Sequence, residues 1–248
     1  MGQVVKLTEL GDGIVQITLE DRASRNTFSR ELMEGIIEVF EKIKKNSSYK
    51  VVILCGYDNY FCCGGTKEEL FAIHNGEIGF ADLNFFTHPL DCEIPVISAM
   101  QGHAIGGGFV FGLYADFVIL GKENVYTTNF MKYGFTPGMG GTLLVPSKLG
   151  RTIGNEMLFT AENYRGGELK DRGVKVKVVS KSEVLNEALK LARCLADKPR
   201  LSLITLKEHL NADIKAKLPE IIKKELKMHK VTFHQSEVAE RIESFFGF

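Results

Sequence analysis

Strand-like and helix-like patterns alternate along most of this 248-residue chain, and this alternation limits the folds open to it. Short apolar or alternating segments predict strands, and apolar residues at helical spacing predict helices between them. The predicted strands cover residues 14–19, 51–54, 95–100, 117–120 and 174–179. The predicted helices cover residues 29–45, 68–74, 106–115 and 141–149. Such alternation is typical of parallel βα units, so we predict the α/β class.

From residue 182 onward the pattern changes, and no further strand is predicted. Apolar residues between positions 184 and 195 form one helical stripe, which ends before Pro199. Two further helices are predicted over residues 200–210 and 218–244. We therefore divide the chain into a βα core, residues 1–190, and a C-terminal helical region, residues 191–248.

Charge and cysteine content exclude several classes of function. The 31 basic residues balance the 31 acidic ones, whereas a nucleic-acid-binding protein is expected to carry a basic excess. The five cysteines are an odd number without a CxxC pair, which predicts reduced thiols and neither a disulfide framework nor a metal site. No long apolar span and no hydrophobic signal core are present, so we expect a soluble, cytoplasmic protein that does not contact a membrane.

Two glycine-rich turns carry the main chemical signal. They cover residues 61–66 and 102–108, and each connects a predicted strand to a predicted helix. Two such turns that face each other present two backbone N–H groups to one oxygen, as an oxyanion hole requires. The alternative is that the glycines only permit close packing of helix on strand. Neither turn matches the dinucleotide-binding or P-loop patterns.

The order of several motifs resembles the crotonase (enoyl-CoA hydratase/isomerase) superfamily along almost the whole chain. The matching segments are residues 26–29, 61–65, 94–108, 115–116 and 137–142. The resemblance implies a spiral of ββα turns followed by a C-terminal helical trimerisation region. It also implies an oxyanion hole from the N–H groups of Gly65 and Gly107, a homotrimer or a dimer of trimers, and no cofactor or metal.

Two departures from the hydratase pattern bear on the reaction. Hydratases of this superfamily place one glutamate two residues after the glycine triplet and a second one seven residues before the later proline. The corresponding residues here are Val110 and Phe130. Addition of water needs a base and an acid, so hydration is not expected. Val110 and Phe130 predict an apolar substrate-binding wall instead, and Tyr133, in the same segment as Phe130, is the third candidate.

A narrower likeness connects the chain with the decarboxylating enzymes of polyketide β-branching cassettes. Residues 56–61, 129–140 and 164–166 carry it. The likeness implies decarboxylation of a 3-methylglutaconyl thioester on an acyl carrier protein to a 3-methylcrotonyl-type thioester. Loss of CO2 leaves a dienolate, which is the species that an oxyanion hole stabilises.

The same likeness implies a lysine and a histidine as catalytic residues. His229 matches the histidine, with His234 as the competing choice, and Lys67 is the available lysine because the position near Gly79 lacks one. Two alternative functions stay open. The first is an enoyl-CoA isomerase, and the second is a non-catalytic relative that binds a carrier protein. A solvated helix face is the default explanation of the lysine-rich tail, and docking of an acidic carrier protein is the alternative.

Overall fold

The strands form two sheets in residues 3–77 and 85–246, the part of the chain that the computed structural model describes. The six-stranded sheet has the order β1 (Val5–Gly11), β2 (Ile14–Leu19), β3 (Val51–Cys55), β5 (Val96–Met100), β7 (Phe117–Gly121), β10 (Lys177–Val179). The four-stranded sheet has the order β4 (Tyr60–Cys62), β6 (His103–Ile105), β8 (Val125–Thr127), β9 (Tyr164–Arg165). All neighbours pair in parallel except β1 with β2 and β8 with β9.

Consecutive strands enter different sheets before each helix, and this makes the chain a spiral. The turns of the spiral are β3, β4 and α2 (Lys67–His74), then β5, β6 and α4 (Gly107–Leu113), then β7, β8 and α5 (Gly141–Leu149). The other helices are α1 (Arg30–Lys44), α3 (His88–Asp91), α6 (Arg151–Thr160), α7 (Gly166–Asp171), α8 (Val184–Ala196), α9 (Arg200–Thr232) and α10 (Ser236–Phe246). The predicted α/β class and ββα spiral with a C-terminal helical region are confirmed.

Helix α1 shows how local sequence sets an element boundary. Ser29 has an extended backbone, and its side chain accepts a hydrogen bond from the Leu32 N–H, so Ser29 is the N-cap of the helix. The buried face has helical spacing and consists of Leu32, Ile36, Val39, Phe40 and Ile43.

Helix α8 packs on one face of the six-stranded sheet, and the rest of the core lies on the other face. Its alanines Ala188, Ala192 and Ala196 contact strand residues such as Ile53 and Ile97. Alternate strand residues point away from α8 into the main core, because side chains alternate across a strand. The predicted boundary between the βα core and the C-terminal region, at residue 190, therefore falls inside α8, a helix that packs on the six-stranded sheet.

The prediction of two helices over residues 200–210 and 218–244 is wrong in where the helices begin and end. One helix runs from Arg200 to Thr232 with Pro219 inside it, and the break comes before Ser236. Residues between the two predicted helices are held by the core: the Asn211 side chain donates to Asp116 at 2.8 Å. Leu218 is also buried, so tertiary contacts continue the helix through a residue that disfavours it.

None of the helices within the described ranges is long and apolar enough to cross a membrane.

Candidate active site

Asn26 holds the loop between β2 and α1 against the first glycine-rich turn. Its side chain is fully buried, and Nδ2 donates to the carbonyl oxygens of Leu19 and Phe61, both at 2.9 Å. Its backbone lies in the left-handed region, which asparagine tolerates better than most residues. The Phe28 N–H donates to the Gly64 carbonyl at 2.7 Å, so the loop and the turn form one unit.

The two glycine-rich turns meet at Gly64. A Cβ atom there would lie 2.8 Å from the Ile105 carbonyl oxygen and 3.3 Å from the Gly107 nitrogen. Gly64 also has a φ of +77°, in the region that side chains disfavour. Because glycine alone permits this approach, the next residue, Gly65, reaches the wall of the same cavity as Gly107.

Gly65 and Gly107 are the two predicted oxyanion-hole residues. Gly107 is the first residue of α4, so its N–H has no acceptor within the helix. Gly106, the N-cap, supplies no side-chain cap. Gly65 directly precedes Thr66, which caps α2. Two backbone N–H donors on one cavity fit the requirement for holding an oxyanion, and the role of the pair stays a prediction.

The cavity beside these turns has a volume of about 260 Å³ and a mostly apolar wall. Its buried lining side chains include Phe28, Phe130, Phe135 and Met139. Tyr133 stacks on Phe135, with ring centroids 6.0 Å apart and an angle of 14° between the planes. Arg25 also lines the cavity and is exposed, so it marks the side that opens to solvent.

The structure brings two of the three predicted substrate-binding residues to the cavity. Phe130 is buried and Tyr133 is half-buried, and burial raises the pKa of the Tyr133 phenol. Val110 is fully buried and packs at Gly141, where a Cβ atom would lie 3.3 Å from Val110 Cγ2. It does not belong to the described cavity lining. A packed aliphatic side chain thus fills one of the two positions at which hydratases carry glutamate.

Lys67 points away from the cavity. Its Nζ donates to Glu243 of α10 at 2.9 Å, and the side chain is 30% exposed. Lys67 is absent from the described cavity lining, so in this conformation it does not reach the predicted substrate. Gly79, the position at which the family likeness would place a lysine, lies outside the described residues.

His229 packs edge-on against Phe135, a residue of the cavity lining, and is not itself among the described lining residues. Its Nε2 lies 2.9 Å from the Thr136 carbonyl oxygen, so Nε2 carries the hydrogen and donates it. Burial lowers the pKa of the imidazole below its ordinary range. His234, the alternative histidine, is exposed, and its Nδ1 donates to the His74 carbonyl at 2.6 Å. The catalytic role of His229 stays a prediction.

Glu225, one helical turn before the predicted histidine, holds the loop that carries Met139. The carboxylate is buried and accepts hydrogen bonds from the Gly140 N–H at 2.7 Å and from the Thr142 N–H and hydroxyl at 2.9 and 2.6 Å. Met139 in turn lies against Gly107, since a Cβ atom on Gly107 would be 2.8 Å from the Met139 Sδ. Helix α9 therefore fixes part of the cavity wall.

Two charged residues of the cavity wall were not singled out by the sequence analysis. Arg25 lines the cavity and directly precedes Asn26, the first residue of the matching segment 26–29, so its position in the sequence could have indicated it. Glu69 follows Thr66 by three residues, which is the spacing of a capping box. The box is formed, but the sequence did not reveal that the Glu69 carboxyl also borders the cavity.

Cys63 is the cysteine of the cavity wall. Burial raises the pKa of its thiol to about 11, so the thiol stays protonated and is a poor nucleophile. In the part of the chain that the structure describes, no group of three or more His, Cys, Asp or Glu side chains is placed to hold a metal ion.

The enoyl-CoA hydratase/isomerase family model matches residues 9–247. The chain belongs to this family. Among its members, carnitinyl-CoA dehydratase of Proteus mirabilis (strain HI4320) is 32% identical over 225 residues, which cover 89% of this chain and 85% of that protein.

Other family members are more similar. Bacillaene synthase decarboxylase PksI of Bacillus subtilis (strain 168) is 54% identical over 244 residues, 98% of each chain. The ECH2 decarboxylase domain of CurF from Lyngbya majuscula is 54% identical, with a TM-score of 0.96 over 99% of this chain and 100% of that one. A structure from a dehydratase/decarboxylase couple involved in polyketide β-branching gives a TM-score of 0.97 at 54% identity, over 99% of this chain and 100% of that one. The predicted likeness to β-branching decarboxylases is confirmed.

Proposed function

We propose that this crotonase-superfamily lyase decarboxylates a 3-methylglutaconyl thioester carried by an acyl carrier protein. The product is a 3-methylcrotonyl-type thioester for polyketide β-branching. One observation carries the proposal: Gly65 and Gly107 line one cavity, whose buried side chains are apolar and largely aromatic and which lacks both hydratase carboxylates. The 54% identity to decarboxylases over nearly the whole chain supports the same reaction.

The mechanism follows from where negative charge develops. The bond between the distal carboxylate carbon and the adjacent CH2 breaks, and its electron pair moves through the double bond to the thioester oxygen. Two preorganised N–H groups stabilise this oxygen, each by about 2.7–4 kcal/mol in related oxyanion holes. CO2 leaves, and the dienolate takes up one proton.

The aromatic wall favours this outcome over hydration. Phe130 occupies one hydratase glutamate position and borders the acyl space. Val110 fills the other position in a fully buried site. The cavity therefore has no pair of carboxylates at these positions to activate water and protonate carbon, and its apolar surface is a poor environment for a charged leaving carboxylate.

Mass spectrometry of the carrier-bound substrate tests the reaction. We expect 3-methylglutaconyl carrier protein to lose the mass of CO2 when the enzyme is added. The free CoA ester serves as the comparison for carrier dependence. Double-bond migration in a 3-enoyl thioester without mass loss would favour the isomerase, and binding of the carrier with unchanged acyl mass would favour the non-catalytic alternative.

The carrier protein is the proposed partner, and the exposed lysines of α9 support its docking. Carrier proteins are typically acidic, and complementary charge speeds encounter. The exposed lysines are Lys215, Lys217, Lys223, Lys224, Lys227 and Lys230. Lys207, another lysine of α9, is buried and paired with Asp116 at 2.8 Å, so it is not part of this exposed set. We expect the reaction to take place in the cytoplasm.

A homotrimer, or a dimer of such trimers, is the proposed assembly. Helix α9 exposes three leucines on its outer surface, Leu201, Leu206 and Leu210, with exposed fractions of 75%, 56% and 65%. Exposed apolar clusters of this kind mark contacts between subunits, and a helical C-terminal region is where the family likeness places them.

A further inference from the structure

Glu69 borders the cavity directly beside the proposed oxyanion hole. It is the third residue of α2, and its Oε2 accepts the Thr66 N–H at 2.9 Å while the Thr66 hydroxyl accepts the Glu69 N–H at 3.1 Å. A Cβ atom on Gly65 would lie 3.8 Å from the same Oε2. The capping box therefore fixes the carboxyl group beside the Gly65 backbone and leaves Oε1 outside the cap.

We propose that Glu69 is the general acid that protonates the dienolate after CO2 has left. This inference rests on the proposed decarboxylation. The O–H bond of the Glu69 carboxyl breaks, and its proton forms a C–H bond at the former CH2 carbon. The enolate electron pair returns to restore the thioester carbonyl. Glu69 then recovers a proton from water at the half-exposed side of the cavity, so that substrate carboxylate plus one proton gives product plus CO2.

Glu69 is the carboxyl group of the described cavity lining, and its surroundings favour the protonated form. Burial raises its pKa, against the opposing effect of the hydrogen bonds from Thr66, and the neighbouring Glu68 raises it further. An ionised Glu69 would repel the substrate carboxylate and the developing oxyanion, whereas a neutral carboxyl does not.

The other groups around the cavity are weaker candidates. Among the described residues, the other titratable groups that line it are Arg25, Tyr60, Cys63 and Tyr133, while α10 contributes Glu243, bound to Lys67. Burial raises the pKa of the Cys63 thiol to about 11 and raises that of the Tyr133 phenol, so both are poorer acids than a carboxyl. Lys67 is paired with Glu243, and neither Lys67 nor His229 belongs to the described cavity lining.

Glu69→Gln separates proton donation from helix capping, because glutamine also completes a capping box. We expect single-turnover product formation to slow by about 10²–10⁴-fold, the usual range for a lost general acid. The matched control is Glu68→Gln, which removes a charge from an exposed neighbour in the same helical turn and should lower the rate far less than Glu69→Gln, because Glu68 only adds to the raised pKa of Glu69.

The pH profile distinguishes chemistry from folding. Wild-type turnover should fall as pH rises through the pKa of Glu69, and Glu69→Gln should lose this basic limb. The variant should also give a mixture of double-bond isomers by NMR, because water then protonates the dienolate at either carbon. Thr66→Ala removes the hydroxyl that accepts the Glu69 N–H but keeps the backbone N–H that holds Oε2, so it should lower the melting temperature and retain the basic limb.

Three outcomes would overturn the role of Glu69: wild-type rate and pH profile in Glu69→Gln, equal rates in Glu69→Gln and Glu68→Gln, or the same defect in Thr66→Ala as in Glu69→Gln. Decarboxylation abolished by His229→Ala with Glu69→Gln fully active would assign the proton to the histidine instead. Absence of CO2 release by the wild-type enzyme would refute the proposed function, which is a different result.

Discussion

Gly65 and Gly107 both line the cavity, yet a side chain would meet different surroundings at each. At Gly65 the nearest atom to a new Cβ is Leu70 Cδ2 at 3.5 Å, an ordinary contact. At Gly107 a Cβ would lie 2.7 Å from the Phe28 ring and 2.8 Å from Met139 Sδ. The two halves of the proposed oxyanion hole therefore differ in their tolerance of substitution.

We expect Gly107→Ala to lower kcat by about 10²–10³-fold, because relief of this overlap displaces one N–H donor. Gly65→Ala should stay close to wild type, since its N–H and its contacts are preserved. Gly167→Ala is the matched control, as its nearest neighbour is 3.6 Å away and it lies outside the cavity. Steady-state kinetics check the order, and equal effects at Gly65 and Gly107 would contradict it.

His229 should make stability depend on pH. Its pKa in the folded protein lies below the value of about 6.5 expected in the unfolded chain. The unfolded state therefore binds the proton more tightly. The resulting stability is fully present above about pH 6.5 and is lost as pH falls through the folded-state pKa.

The test is the free energy of unfolding in denaturant, measured from pH 8 down to pH 5. His229→Gln, which can still donate to the Thr136 carbonyl, should show a flatter acid limb than wild type. His209→Gln replaces an exposed histidine of the same helix and should follow the wild-type curve. Identical slopes for all three proteins would show that His229 does not titrate in this way.

Helix α9 is the element in which tertiary contacts most clearly override a local rule. Pro219 lacks an N–H and crowds the carbonyl four residues earlier, which predicts a break. The break does not occur, because Leu218 and Glu225 on either side are buried against the core. The helix therefore carries a local cost that its packing offsets.

Pro219→Ala should remove that cost. Pro219 is exposed, so no packing is lost, and the new N–H can bond within the helix. We expect stabilisation of about 2 kcal/mol, after allowance for the more flexible unfolded chain, and a rise in Tm of about 4–8 °C. Lys215→Ala, at another exposed position of α9, is the control. Calorimetry that gave an unchanged or lower Tm for Pro219→Ala would show that the proline is not a local cost.

At the scale of the whole molecule, the family resemblance carried by the motifs implied the spiral, and the motifs could be recognised because each ββα turn is local in sequence. The glycine-rich turns and the start of α1 near Ser29 were predictable for the same reason. The residues that the site side chains contact were not predictable. Lys67 pairs with Glu243, and His229 donates to Thr136, contacts between residues 176 and 93 positions apart. Which way a side chain points depends on such distant neighbours, so the cavity position of Glu69 was not readable either.

The proposed trimer gives a prediction at this scale. Leu206→Glu combined with Leu210→Glu places two charges on the exposed apolar face of α9, and we expect the mass in solution to fall from trimer to monomer. Leu185→Glu on α8 changes another exposed leucine and should leave the trimer intact. Light scattering gives the mass, and a monomeric wild-type protein would refute the assembly itself.

The hydrogen bonds from the Gly140 and Thr142 N–H groups to Glu225 connect the cavity wall with helix α9. The helix that grips the Gly140–Thr142 backbone, and thereby seats Met139 against Gly107, is the same helix that exposes the leucines. If neighbouring subunits hold this helix in place, the turnover number of each subunit depends on assembly of the trimer. Specific activity should then decline on dilution, and assays at nanomolar enzyme should underestimate the turnover of the concentrated protein.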